Sequence, residues 1–179
     1  MKNEAAKASD VSISSAISAS SALESLSIFP AQTLAQIAQA REVFLEYAQS
    51  LGFSLCFQNF DKELAELPGI YAPPEGRLLL VEKEGQLVGC VALHKLGPGI
   101  CEMKRLYLRP QFRGQGLGRA LADRIISEAR QIGYRHMRLD TVEPVMKDAV
   151  AMYYKLGFKD IAPYCENPMP GAIYLELEL

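Results

Sequence analysis

Arg113-Gly114-Gln115-Gly116-Leu117-Gly118-Arg119 is the stretch on which the reading of this chain turns. It lies between a β-like run ending near Leu108 and a helical run with Leu117, Leu121, Ile125 and Ala129 four apart. Glycines at 114, 116 and 118 remove Cβ atoms and let backbone N–H groups approach a ligand closely. A helix starting there adds unpaired N–H groups and the positive end of its dipole. Arg113 and Arg119 add full charges. The ligand implied is a phosphate or pyrophosphate. The dinucleotide fingerprint G-x-G-x-x-G, counted from Gly114, requires glycine at 119, where Arg119 stands; a Walker loop requires Gly-Lys-Ser/Thr, which is absent. A glycine-rich turn that merely starts a helix is the plainer alternative.

The surrounding charge favours the anion. From Lys104 to Arg138 nine basic residues face two acids, a local +7, while the remaining ten basic and nineteen acidic residues give −9. The whole chain, 179 residues long, carries only −2, which argues against a protein that coats nucleic acid along its surface. With 49% hydrophobic and 22% charged residues the composition is that of an ordinary globular domain, and no apolar run approaches the roughly 18–20 residues of a membrane span.

Outward from the loop, the pattern alternates strands and helices. Leu26–Phe29 reads as a short strand, and Thr33 caps a helix running to about Ser50 with Gly52 just beyond it. A short helix over Asp61–Glu66 stops at Leu67-Pro68-Gly69. Leu78–Glu82 and Gln86–Leu93 form a hairpin about Lys83-Glu84-Gly85, and Gly97-Pro98-Gly99 turns the chain into a strand over Cys101–Leu108. After the loop come a helix from about Gly116 to Gln131, a strand over His136–Thr141, a helix over Met146–Leu156, and strands over Phe158–Ala162 and Ile173–Leu179. The predicted fold is a mixed α/β sheet with hairpins and two crossover helices. Residues 1–22, rich in Ser and Ala, read as a disordered tail, and 23–179 as one folded domain. The tail has neither the apolar core of a signal peptide nor, with Glu4 and Asp10, the character of a transit peptide. Cys56, Cys90, Cys101 and Cys165 lie far apart and read as small buried hydrophobes in a reducing compartment; a cytoplasmic protein is expected. His94 and His136 form no ligand cluster with them, so no metal is expected.

Arg113-x-x-Gly116-x-Gly118 resembles the Arg/Gln-x-x-Gly-x-Gly/Ala pattern of the GNAT (Gcn5-related) N-acetyltransferases, which bind the pyrophosphate of acetyl-CoA. Lys104-Arg105-Leu106-Tyr107-Leu108-Arg109-Pro110 resembles that family's fourth strand, and Met152-Tyr153-Tyr154-Lys155-Leu156-Gly157-Phe158 its Leu-Tyr-x-x-x-Gly-Phe signature. The resemblance covers 26–179. It implies a mostly antiparallel central sheet whose fourth and fifth strands splay apart to seat the co-substrate, and transfer of an acetyl group to a primary amine by direct attack in a ternary complex. It places acetyl-CoA on the main chain of Leu106, Tyr107 and Leu108 and on Arg113, Gly114, Gln115, Gly116, Leu117, Gly118 and Arg119. It makes Tyr153 the donor to the departing thiolate, a task suited to a phenol with pKa near 10. It makes Glu102 a base acting through water. Read as residues alone, Tyr153 is equally a core aromatic of an amphipathic helix, and Glu102 a strand carboxylate paired with a nearby cation. His94 is a weaker candidate for the base, a surface or strand-end role being its plainer reading. One departure stands out: the family often has asparagine seven residues before the motif tyrosine, and here that position is Met146.

The acceptor is expected between the first helices and the last hairpin, where Phe57, Tyr164, Glu166 and Asn167 mix aromatic and polar character suited to a small or amino-acid-like amine. Asn167-Pro168 and Pro170-Gly171 also make turns unaided. A non-catalytic acyl-CoA sensor is the alternative function. A nucleic-acid module built on Arg119, Arg124, Arg130, Arg135 and Arg138 lacks the interleaved aromatics that single-strand binding uses. Neither nucleic acid nor membrane is an expected partner, and a homodimer is left open.

Overall fold

A computed structural model describes residues 26–179. The expected tail, and residues 23–25 of the expected domain, lie outside the described residues. The strands are β1 (Leu26–Pro30), β2 (Arg77–Lys83), β3 (Gln86–Gly97), β4 (Ile100–Leu108), β5 (His136–Val142), β6 (Lys159–Asp160) and β7 (Ala172–Glu178). The helices are α1 (Leu34–Ser50), α2 (Phe60–Glu66), α3 (Leu117–Ile132) and α4 (Lys147–Lys155). Thr33 caps α1 in a capping box, its hydroxyl accepting from the Gln36 N–H while the Gln36 side chain accepts from the Thr33 N–H. The β2–β3 hairpin turns at Glu84 and Gly85, both at positive φ, the conformation two-residue hairpins favour. The strand expected over Phe158–Ala162 shrinks to Lys159–Asp160, and the chain then runs irregularly through Pro163, Pro168 and Pro170. Proline supplies no N–H to a ladder, which accounts for the early end.

The sheet order is β1-β2-β3-β4-β5-β7-β6, and every pairing is antiparallel except β4 with β5. Alternation along β2 sorts the core into two layers. Leu79 and Val81 join the α3 side with Leu121 and Ile125, while Leu78 and Leu80 join the α1 side with Val43 and Phe44. Tyr153 and Phe158 extend the first layer; Phe60 and Tyr71 extend the second.

Two irregularities mark β4. Its pairing with β5 covers only Ile100–Glu102 against His136–Arg138, so the two strands part beyond Glu102. It also carries one residue more than β3 between Lys104 and Tyr107, a bulge with Arg105 at φ +57. Gly89 faces this bulge: a Cβ there would sit 2.2 Å from the Tyr107 carbonyl oxygen, so only glycine fits.

Candidate functional site

The glycine loop forms as its sequence implies. Gly114 and Gly116 take φ of +73 and +79, and a Cβ on either would meet nothing within 4 Å, so the space above them is open. The first α3 hydrogen bond runs from the Ala120 N–H to the Gly116 carbonyl. The N–H groups of Leu117, Gly118 and Arg119 therefore have no partner within the helix. Gln115 is held by Lys83, whose ammonium donates to its Oε1 at 2.6 Å. Arg113 turns back, donating from Nε to the Leu108 carbonyl at 3.0 Å and lying over the Tyr107 ring. Arg119 is exposed and pairs with Asp123 at 2.9 Å.

The concentration of positive charge near this loop is partly answered from within. Arg105 pairs with Glu63, Arg109 with Glu46, Arg119 with Asp123, Arg124 with Glu128 and Arg138 with Glu176. Asp123 and Glu128 are already counted in the segment's +7, while Glu63, Glu46 and Glu176 lie outside it and lower the +7 to +4, so a positive balance remains beside the loop.

Where β4 and β5 part, a pocket of about 50 Å³ opens between Met103–Leu106, Leu139–Val142, Tyr47, Met146 and Tyr153. Tyr153 projects from α4 into it; burial pushes its hydroxyl pKa up, so the proton stays on. Met146 stands at the start of α4 and caps nothing with its side chain. Leu106, Tyr107 and Leu108 lie on the stretch of β4 that β5 leaves unpaired. Tyr154, one residue on, is exposed and donates to Asp160 at 3.0 Å.

A larger cleft of about 450 Å³ adjoins, and Gln58 and Lys104 line both spaces. Its floor holds Glu102, opposite His94 in the β3–β4 register. Glu102 Oε1 accepts from the Tyr164 hydroxyl at 2.7 Å, and Oε2 lies 2.6 Å from His94 Nε2 and 3.6 Å from Lys104 Nζ. Burial pushes the Glu102 carboxyl up, but the His94 hydrogen bond, the Lys104 charge and the Tyr164 hydroxyl together outweigh it and hold the pKa at about 2. His94 Nδ1 faces the Lys95 carbonyl at 3.0 Å. Burial, then the Glu102 charge, keep the Tyr164 hydroxyl protonated.

Tyr164 and Glu166 line this cleft, whereas Asn167 lies on the smaller pocket and donates to Asp140 at 2.8 Å. The side chain of Phe57 lies outside the described residues. Asp140, which no motif marked, joins the site, as do His94, only a weak candidate from the sequence, and Lys104, marked for its strand and not for its side chain. His94 and Glu102 are each four positions from Pro98, so the turn at Gly97-Pro98-Gly99 is the signal that pairs them. Cys90 and Cys101 are buried as expected, but Cys56 and Cys165 are exposed. Cys165 Sγ comes within 4.8 Å of carboxylate oxygens of Glu102 and Asp140, a grouping the sequence did not foretell. Lys104 Nζ, 3.6 and 3.9 Å from those two carboxylates, supplies the positive charge among them.

Between pocket and cleft stands a buried ion pair. Arg105, 2% exposed at its side chain, donates from Nε and Nη2 to Glu63 at 2.9 and 2.5 Å and from Nη1 to Gln58 at 2.9 Å. Glu63 also accepts from the Tyr71 hydroxyl at 2.7 Å, and Phe60 lies against the guanidinium.

Among the described residues no helix is long and apolar enough to cross a membrane. The family model of the GNAT acetyltransferases matches residues 37–158. An uncharacterised N-acetyltransferase of Schizosaccharomyces pombe is 46% identical over 136 residues, which cover 75% of this chain and 83% of that protein. Among solved structures, an acetyltransferase from Streptococcus agalactiae superposes with a TM-score of 0.71 at 21% identity, covering 87% of this chain and 99% of that one. A GNAT-family acetyltransferase from Elizabethkingia anophelis with acetyl-CoA bound superposes at 0.64 and 20% identity, with the same coverage. The parted strands, the glycine loop and these likenesses agree: the chain belongs to the GNAT family of N-acetyltransferases.

Proposed function

We propose that this enzyme transfers the acetyl group of acetyl-CoA to the primary amine of a small or amino-acid-like acceptor, by direct attack with both substrates bound. The observation that carries this reading is the meeting of the two spaces: the pocket at Tyr153 and the cleft at Glu102 share Gln58 and Lys104. The open N–H groups of Leu117–Arg119, and the space above Gly114 and Gly116, fit a pyrophosphate. The edge of β4 that β5 leaves open at Leu106–Leu108 fits an amide-bearing arm laid along it as an added strand.

Acetyl-CoA supplies an acyl group on a thiol leaving group. As the amine nitrogen bonds to the acyl carbon and the carbon–sulfur bond breaks, Tyr153 gives its proton to sulfur and recovers one from the nitrogen. A main-chain N–H on the open edge of β4 would donate to the acyl oxygen, where charge develops. Glu102 is assigned the part of a fixed negative charge that draws the acceptor's ammonium into the cleft. With both oxygens engaged and its pKa held at about 2, it is a poor proton acceptor. The amine then reacts from its neutral fraction, which grows with pH.

Thiol release from acetyl-CoA, measured against a panel of amines with product mass analysis, tests the reading. Amine-dependent release with intersecting initial-rate lines is expected. Parallel lines, the mark of an acyl-enzyme, would refute direct attack, and CoA binding without turnover on any amine would refute transfer.

A further inference from the structure

The acceptor cleft has a floor and a rim of opposite character. The floor is polar: Glu102, His94, Lys104 and Tyr164. The rim carries Ile70 and Leu96, exposed at 60% and 40%, with Pro68 beside them. Large apolar side chains left open at the mouth of a substrate cleft are what an apolar ligand body would cover. Leu96 follows His94 by two positions on β3, so about 7 Å of strand separates floor from rim. That is the length of a pentyl or hexyl chain.

The charges lining the cleft decide the other half. Glu63 is answered by Arg105, and Lys62 lies 3.9 Å from Glu66. Lys104 is shared between Glu102 and Asp140. Among the described residues Glu166 has no ion pair, so the balance inside the cleft is negative. A carboxylate on the acceptor would meet only Lys62, at the exposed mouth 3.9 Å from Glu66, and Lys104, shared by two carboxylates, whereas a single ammonium would meet the negative balance of the floor.

Resting on the amine transfer proposed above, we propose that the acceptor is a monocationic amine on an uncharged apolar body, an alkylamine or arylalkylamine without a carboxylate. Its nitrogen lies at the Glu102 end and its body along Pro68, Ile70 and Leu96. The rim sets specificity by covering that body, and the floor sets it by accepting one positive charge.

The test is a chain-length series at saturating acetyl-CoA: ethylamine, butylamine, hexylamine and phenethylamine, beside L-aspartate, L-leucine and spermidine. KM should fall by up to about fourfold per added methylene, with kcat nearly constant. Hexylamine and phenethylamine should exceed both amino acids and spermidine in kcat/KM by at least tenfold. The double variant Ile70→Ser/Leu96→Ser should raise the KM for hexylamine at least tenfold and flatten the series; both positions are exposed enough for serine to leave the fold intact. A flat series in the parent protein, or preference for a carboxylate-bearing or polycationic amine, overturns the proposal while leaving amine transfer standing. Hexylamine titrated calorimetrically into the CoA-saturated protein reads the cleft without turnover. Binding that the double variant weakens tenfold supports the proposal, and absence of binding overturns it. Hexylamine binding with no turnover on any amine would refute transfer and leave the apolar-amine cleft standing.

Discussion

Glu63→Gln is the most informative single change, because it alters charge without altering shape. Glu63 and Arg105 are joined by two hydrogen bonds inside the α1-side core, where Tyr71 and Gln58 complete the network. The pair's side chains are 9% and 2% exposed, so a neutral amide leaves a buried guanidinium with no counter-charge. Breaking one partner of such a pair costs about 3–5 kcal/mol. At roughly 2–4 °C per kcal/mol for a domain of this size, the melting midpoint should fall by about 10 °C. Function should suffer separately: Glu63 lines the cleft and Arg105 the pocket, so the junction where acceptor and thioester meet loosens and kcat/KM drops at a temperature where the variant is still folded. Calorimetric melting and initial rates at 20 °C measure the two effects. The double variant Glu63→Leu/Arg105→Met should lose less stability than Glu63→Gln, since neither charge is left alone. A Glu63→Gln protein within 1 kcal/mol of its parent, or a double variant less stable than the single one, would refute the reasoning.

Tyr153→Phe should lower kcat at least tenfold and leave the KM for acetyl-CoA nearly unchanged; steady-state rates at several acetyl-CoA concentrations decide it, and an unchanged kcat removes the phenol from the reaction. Glu102 stabilises the fold fully above its unfolded pKa of about 4.5, and that contribution, about 3 kcal/mol, is lost as pH falls toward its folded value of about 2. Urea midpoints of the parent and Glu102→Gln should therefore differ most at pH 6, draw together as pH falls below about 4.5, and converge only at about pH 2. The rate itself should show no acid limb from Glu102 between pH 5 and 9 (a range set by its pKa of about 2), rising instead with the free-amine fraction. Gly89→Ala forces a Cβ against the Tyr107 carbonyl, beyond the roughly 1–3 kcal/mol of ordinary overpacking. It should push β4 outward at its bulge and raise the Kd for CoA at least tenfold by calorimetry.

Local signals in this chain are strong where a single residue carries a single job. Thr33 and Gln36 announce a helix start, Glu84-Gly85 a hairpin, and Gly133, at φ +101, the end of α3. The loop at Gly114–Gly118 is legible for the same reason: its glycines are there for backbone angles that few other residues adopt. The acceptor side is less legible because its residues act in pairs across distance. Glu63 is 42 positions from Arg105, and Tyr164 is 62 from Glu102. Glu63 reads alone as an ordinary surface carboxylate of a short helix, and only folding brings it against the Arg105 guanidinium. Arg105 lies inside a recognised motif, yet nothing local tells that its side chain turns into the core instead of toward the loop's ligand. His94 is within reach through the symmetry of its turn, but a strand-end histidine has many bland uses, and the turn alone does not choose among them.

The parting of β4 and β5 has a consequence for the molecule's handling. A sheet ordinarily has two margins, and this one has four, since Met103–Leu108 and Leu139–Val142 each leave main-chain donors and acceptors open in mid-sheet. Such margins invite any extended chain, so a stray peptide competes there with the proper ligand and seeds association. A small molecule seated in the fork then acts as a plug as well as a reactant, adding about 2.7 kcal/mol of stability at a hundredfold excess over its Kd. Preparations kept with CoA should scatter less light on warming than those without, and long storage should favour the filled form.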